Sequence, residues 1–234
     1  MFSRCTFVLM MAAATGAAQL HQSRVLILIG PPGSGKSVQA KVLSKSYKVP
    51  AISMATVLKE SIGKNTPVAQ GLKGHMASGE LVGDDAANEA MKTRLLRKDA
   101  GQGFILDGYP TNAKQANALD VFLAEQGFPK PIIVILEAPD SVLRERLKSR
   151  KRADDTPENI DRRLSEYRDL GTLAEKRYGT ENTVRVDGTG SIQGVALAIT
   201  QQIDNMRSKK GFAVRPQQSD GLKQRPPAET PSPQ

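Results

Sequence analysis

A chain of 234 residues, 39% of them hydrophobic, can bury one sizeable core, which excludes a wholly disordered polypeptide. One cysteine, Cys5, excludes a disulfide framework and a cysteine-based metal site, and the two histidines, His21 and His75, have no second ligand at metal-binding spacing. A net charge of +9 calls for anionic partners such as nucleotides; with 4% aromatic residues and no tryptophan, nucleic acid held on a stacking platform is not expected.

Residues 1–22 form a leader. Arg4 precedes the apolar run Phe7–Ala14, and the small residues Gly16, Ala17 and Ala18 follow. Three readings stay open: a secretory signal, an organellar presequence (no acidic residue precedes Glu60), or an over-long start with Met10 or Met11 as initiator. The run is too short to span a bilayer. Export sits badly with ATP chemistry, so the cytoplasm is the expected location.

Val25–Ile29 is a short β-branched apolar run of the kind buried in a parallel sheet. Gly30-Pro31-Pro32-Gly33-Ser34-Gly35-Lys36-Ser37 follows, and a helix begins with Val38, Ala40, Val42 and Leu43. Strand, glycine loop and helix are the context in which G-x-x-x-x-G-K-[ST] holds phosphates. Gly33 and Gly35 let successive N–H groups turn inward, and the helix start adds a partial positive charge. Lys36 would reach the β- and γ-phosphates, and the Ser37 hydroxyl would ligate Mg²⁺.

Val49–Ser53 is a second short strand, with Ser53 capping a helix through Thr56, Leu58 and Ile62. A helical segment spans Pro67–Gly79, a turn covers Glu80–Gly83, and Asp84 or Asp85 opens a helix bearing Ala87, Met91 and Leu95. Gly103–Asp107 is an apolar strand ending in a carboxylate, which places Asp107 to hold Mg²⁺, in part through water. A helix runs from Asn112 to Gln126, Pro131–Leu136 is a third buried strand, and Ser141–Ser149 is another helix. After the charged run Arg150–Asp155, Thr156-Pro157-Glu158 marks a helix start with Ile160, Leu164, Tyr167 and Ala174 on one stripe. Thr183–Asp187 is the last strand and Ile192–Met206 the closing helix. From Ser208 to Gln234, five basic residues stand against two acidic ones among Pro, Gln and Ser, the composition of a disordered tail.

The alternation implies an α/β fold, a P-loop NTPase-type doubly wound parallel sheet with phosphates at the C-terminal edge of its strands. From about Arg24 to Met206 the chain resembles the adenylate kinases, within the nucleoside monophosphate kinases. The resemblance is carried by GPPGSGKSVQA, the SGELV turn, FILDGYP, Gln115, the RADD stretch with Arg163 eleven residues after Arg152, and VDGTGS. It implies a kinase domain over 23–207, with a helical acceptor-binding insert at 53–82 and a short zinc-free lid at 149–155. Gly33, Ser34, Gly35, Lys36, Ser37 and Val38 would hold the ATP phosphates, with Arg150 and the backbone at Gly190 also on ATP. Arg152 and Arg163 would clamp acceptor and transferring phosphoryl, and Asp154 and Asp155 would orient the lid arginines. Glu80, Leu81, Val82, Gly108, Tyr109, Pro110 and Gln115 would read the acceptor, AMP. A monomer using Mg²⁺ with ATP is expected.

The acceptor side departs from the family pattern. Met54 stands where threonine is usual, Thr56 where aspartate is, and Lys59 and Thr111 where arginines grip the monophosphate. Lysine keeps the charge without the bidentate fork; threonine keeps neither. At about 1.5–3 kcal/mol for each charge-assisted contact, two losses weaken AMP binding by roughly 10²–10⁴. Three functions therefore compete: an adenylate kinase of weak acceptor affinity, an ATP-dependent kinase of another small acceptor, and a nucleotide-binding interaction protein with little turnover.

Overall fold

The computed structural model describes residues 24–63, 83–150 and 156–209, the side chains of 166, 168 and 169 excepted. The leader, the segment with Pro67–Gly79 and Glu80, Leu81 and Val82, the lid residues Arg152, Asp154 and Asp155, and the chain beyond 209 lie outside the described residues. Five strands, β1 (Val25–Ile29), β2 (Ala51–Ser53), β3 (Phe104–Asp107), β4 (Ile132–Glu137) and β5 (Thr183–Asp187), form one sheet in the order β2-β3-β1-β4-β5. Every pairing is parallel, with Leu28 beside Asp107 on one flank and beside Val134 on the other. This is the expected α/β architecture.

Side-chain alternation divides the strands between two cores. Val25, Ile27, Ile29, Phe104, Leu106, Ile133 and Ile135 face one side. There they meet α2 (Met54–Ile62), α3 (Asp84–Leu95), α4 (Ala113–Glu125) and the C-terminal part of α6 (Pro157–Tyr178). Leu26, Leu28, Ile105, Val134 and Leu136 face the other side, under α1 (Lys36–Tyr47) and α7 (Ile192–Lys209). A smaller cluster of Leu143, Leu147, Ile160 and Leu164 joins α5 (Asp140–Ser149) to the start of α6. Both sheet faces being covered is why the three middle strands, β1, β3 and β4, read as apolar runs, while the edge strand β5 alternates buried and exposed residues.

Several boundaries move. β2 begins at Ala51 rather than Val49. Ser53 takes the N-cap position of α2, but its side chain makes no capping hydrogen bond. On α1 the buried residue of the first turn is Gln39, whose amide donates to Ile192 O at 3.0 Å, while Val38 is 42% exposed. The closing helix continues through Ser208 to Lys209, past the expected end of the domain at 207 and into the segment read as tail. Thr156 and Asn112 cap their helices, accepting from Asn159 N and Gln115 N. No described helix is long and apolar enough to cross a membrane.

Asp120 on α4 ties down the end of α6. It accepts from Arg177 Nε at 2.7 Å and from the buried Tyr178 hydroxyl at 2.9 Å. Removing the carboxylate strands both donors, so Asp120→Ala should lower stability by about 1–3 kcal/mol in denaturant unfolding, with ATP affinity unchanged.

Candidate functional site

The glycine loop closes the C-terminal end of β1 at the centre of the sheet, where the chain departs to opposite sides. Gly33 and Gly35 have φ of +88° and +93°, the left-handed region glycine tolerates. Gly30 is required for a different reason. A Cβ there would lie 2.9 Å from Leu136 O and 2.6 Å from Ser34 Oγ. Gly188, after β5, is as tight against Ser34 O, at 2.9 Å, and its N–H donates to Glu137 O at 2.7 Å. Loop, β4 and the β5–α7 turn are thus in backbone contact.

Inside the loop, Lys36 Nζ donates to Gly30 O and, at 2.9 Å, to Pro31 O. Burial strips water from the ammonium and lowers its pKa to about 8; Asp107 opposes this and the Arg150 charge adds to it. Ser37 Oγ donates to Asp107 Oδ2 at 2.5 Å, and Asp107 is buried at the end of β3. Ser34 is buried, and its hydroxyl has no hydrogen-bond partner among the described residues. Hydroxyl and carboxylate side by side are the hard oxygen donors that suit Mg²⁺, so Ser37 and Asp107 fit that ion. No group of three or more His, Cys, Asp or Glu residues able to hold a metal occurs among the described residues.

Two arginines, Arg146 and Arg150, lie by this loop, and a third, Arg163, is carried on α6. Arg150 follows α5 and is close enough for its charge to act on Lys36. Arg163 lies half-buried in the first turns of α6. Arg146, not singled out from sequence, donates to three carbonyls. Its Nη1 donates to Gly188 O at 2.9 Å and Gly33 O at 3.3 Å, and its Nη2 to Thr189 O at 3.2 Å. No signal marked it in sequence, because its carbonyl partners lie 42, 43 and 113 positions away. Asp187 shapes the same turn by accepting from Thr189 N and Oγ1, bonds that hold its carboxyl below the usual range. Gly190 follows directly, its Cβ position open apart from Val195 at 3.6 Å.

The acceptor-side candidates fall on α2 and on the turn after β3. Met54 is partly buried against the core and Lys59 is exposed. Gly108 has φ of +74°. Tyr109 is 3% exposed, with its ring in the core and its hydroxyl donating to Asn88 Oδ1 at 2.8 Å, so it supports the turn from beneath. Pro110 is buried and Thr111 exposed, and Gln115 sits in the first turn of α4. Asp84, not singled out from sequence, accepts from the side-chain amides of both Asn112 and Gln115, which hold its carboxyl below the usual range. The sequence offered no signal for it beyond its place at a helix start.

Comparison with known proteins gives one family. The family model described as ADK: Adenylate kinase matches residues 28–181. The chain is 38% identical over 183 residues to "Adenylate kinase" of Xanthomonas campestris pv. campestris (strain B100), covering 76% of this chain and 98% of the relative. It is 39% identical over 183 residues to "Adenylate kinase" of Stenotrophomonas maltophilia (strain K279a), with the same coverage. With "Adenylate kinase" of Micrococcus luteus the identity is 37% over 191 residues, 80% of this chain and 93% of the relative.

The lowered lysine pKa sets a pH dependence. Below about 8 the ammonium is charged in folded and unfolded chains alike. Between that value and the ordinary lysine value only the unfolded chain keeps the proton, so this group's contribution to stability rises through the window while its hold on a triphosphate weakens. Calorimetric ATP affinity should be level below about 8 and then fall, by up to roughly tenfold per pH unit, and Lys36→Arg should flatten that fall.

Proposed function

The chain belongs to the adenylate kinase family, and on that premise we propose that it transfers the γ-phosphoryl group of ATP reversibly to AMP, giving two ADP. The observation that carries this reading is the cluster at the strand ends: a partly buried Lys36 ammonium within the glycine loop, beside a Ser37 hydroxyl 2.5 Å from the Asp107 carboxylate.

The chemistry follows from charge and position. The transferring group passes through a transition state with negative charge spread over its oxygens, so donors must already point at it. The N–H groups of Gly33, Gly35, Lys36 and Ser37 take the donor phosphates, those of Ser34 and Val38 hold the loop's shape by donating to Pro31 O and Gly35 O, and Lys36 exchanges its carbonyl partners for β- and γ-oxygens. Mg²⁺ held by Ser37 and Asp107, in part through water, would offset phosphate charge and fix the tail's geometry. Arg150 and the backbone at Gly190 contact ATP, Arg152 and Arg163 clamp the acceptor and the moving phosphoryl, and Asp154 and Asp155 orient the lid guanidiniums. Closure of the lid, 149–155, excludes the water that would otherwise take the phosphoryl. AMP lies against the insert, 53–82, and the turn Gly108–Thr111, among Met54, Lys59, Glu80, Leu81, Val82, Tyr109, Pro110 and Gln115. Cytoplasmic ATP and a monomeric enzyme belong to this reading.

A second reading, transfer to another nucleoside monophosphate, is favoured by Lys59 and Thr111 in place of the expected arginines. A coupled assay with ATP and a panel of monophosphates separates the two. AMP should be turned over faster than pyrimidine monophosphates; a pyrimidine substrate outpacing it would overturn the first reading. Thr111→Arg should lower the KM for AMP by about tenfold or more, the worth of one charge-assisted contact. Lys36→Met should cut kcat by about 10²–10³ in either case.

A further inference from the structure

The turn after β3 carries a hydrogen-bond lock that phosphate chemistry does not require. Asn112 and Gln115 cap the start of α4: Gln115 N donates to Asn112 Oδ1 at 2.9 Å, and Gln115 Oε1 reaches back to accept from Thr111 N at 2.8 Å. Two more bonds fix the amide. Thr111 Oγ1 donates to the same Oε1 at 3.0 Å, and Gln115 Nε2 donates to Asp84 Oδ1 at 2.8 Å. Asn112 Nδ2 donates to that Asp84 oxygen as well, at 2.8 Å. The two ends of the Gln115 amide cannot be exchanged. A backbone N–H must meet its oxygen, and a carboxylate must meet its nitrogen. The Thr111 hydroxyl can only donate here, because the oxygen it faces carries no proton.

An amide oxygen has two lone pairs, and Thr111 takes both on Gln115 Oε1. One N–H of Nε2 is committed to Asp84, which leaves one donor. We propose that Thr111 determines base specificity in the acceptor pocket: by saturating Gln115 Oε1 it leaves that amide a donor only, so 6-amino and 6-oxo purine monophosphates are accepted alike. The inference rests on the reading that Gln115 faces the acceptor base. An exocyclic amine approaching Oε1 displaces the Thr111 hydroxyl and exchanges one hydrogen bond for another, with no net gain. A ring nitrogen or a base carbonyl meets the remaining N–H in either purine. Discrimination by the amine therefore disappears without any change in pocket shape.

Thr111→Val tests this, since valine keeps the shape and the backbone N–H but frees one lone pair. Calorimetry would measure AMP and inosine monophosphate binding to the wild type, Thr111→Val and Thr111→Ser. The wild type should bind the two nucleotides within about threefold of each other, and Thr111→Val should raise the AMP preference roughly tenfold. Thr111→Ser, which restores the hydroxyl, should keep the wild-type ratio. ATP affinity should be the same in all three. Thr111→Ala removes the same hydroxyl from an exposed position and gives the same reading if valine disturbs the turn. An unchanged ratio in the hydroxyl-free variants, a wild type already favouring AMP by more than about tenfold, or no binding of either nucleotide overturns the proposal. The coupled assay reports separately. Binding without turnover removes the proposed enzyme function alone, whereas AMP turnover with an unaltered ratio removes this inference alone.

Discussion

A lysine ammonium held by the carbonyls of its own loop is the interaction on which the site depends. Lys36 keeps its charge against burial because Gly30 O and Pro31 O accept from it and Asp107 lies near. The same loop is packed so closely that no Cβ fits at Gly30, and the neighbouring turn meets it at Gly188 and through Arg146. The sheet supplies the rest. β1 sits between β3 and β4, so Asp107 comes to Ser37 from one side while α5 brings Arg146 and Arg150 from the other. Donor-side chemistry thus converges on the middle of the sheet by topology, not by proximity in sequence.

The acceptor side is built on other principles. Its turn is fixed by neutral amides, a hydroxyl and one carboxylate, and Tyr109 braces it from the core. A turn locked in this way holds its shape without an arginine. On the proposed reading, family membership and a changed residue at Thr111 are compatible, because the hydrogen bonds that hold this turn do not need an arginine.

The middle of the sheet was legible because β1, β3 and β4 are buried on both faces and so appear as apolar runs, whereas the edge strand β5 alternates buried and exposed residues; β1 and β5 have the expected bounds. The glycine loop was legible because its torsions and close approaches admit few residue types. Helix starts were legible at Asn112 and Thr156, where a side chain caps, and at Ser53, which takes the N-cap position of α2 although its side chain makes no cap bond. Gln39 could not be foreseen as the buried residue of α1, because its partner Ile192 lies 153 positions away. Arg146 and Asp84 were hidden for the same reason. A helix-surface charge declares its carbonyl or amide partners only once distant turns are folded against it.

The Asp120 anchor has a mechanical consequence. α6 is a rod of 22 residues, about 30 Å from end to end. Its tail is riveted to α4, while its head rests on α5 through the small patch around Ile160 and Leu164. Geometry alone makes such a rod a lever: a tilt of about ten degrees at the anchored end would correspond to roughly 5 Å at the head. Arg163 lies 14 residues from the anchor at Arg177, so any tilt of the rod would be felt far more at that guanidinium than at the anchored end.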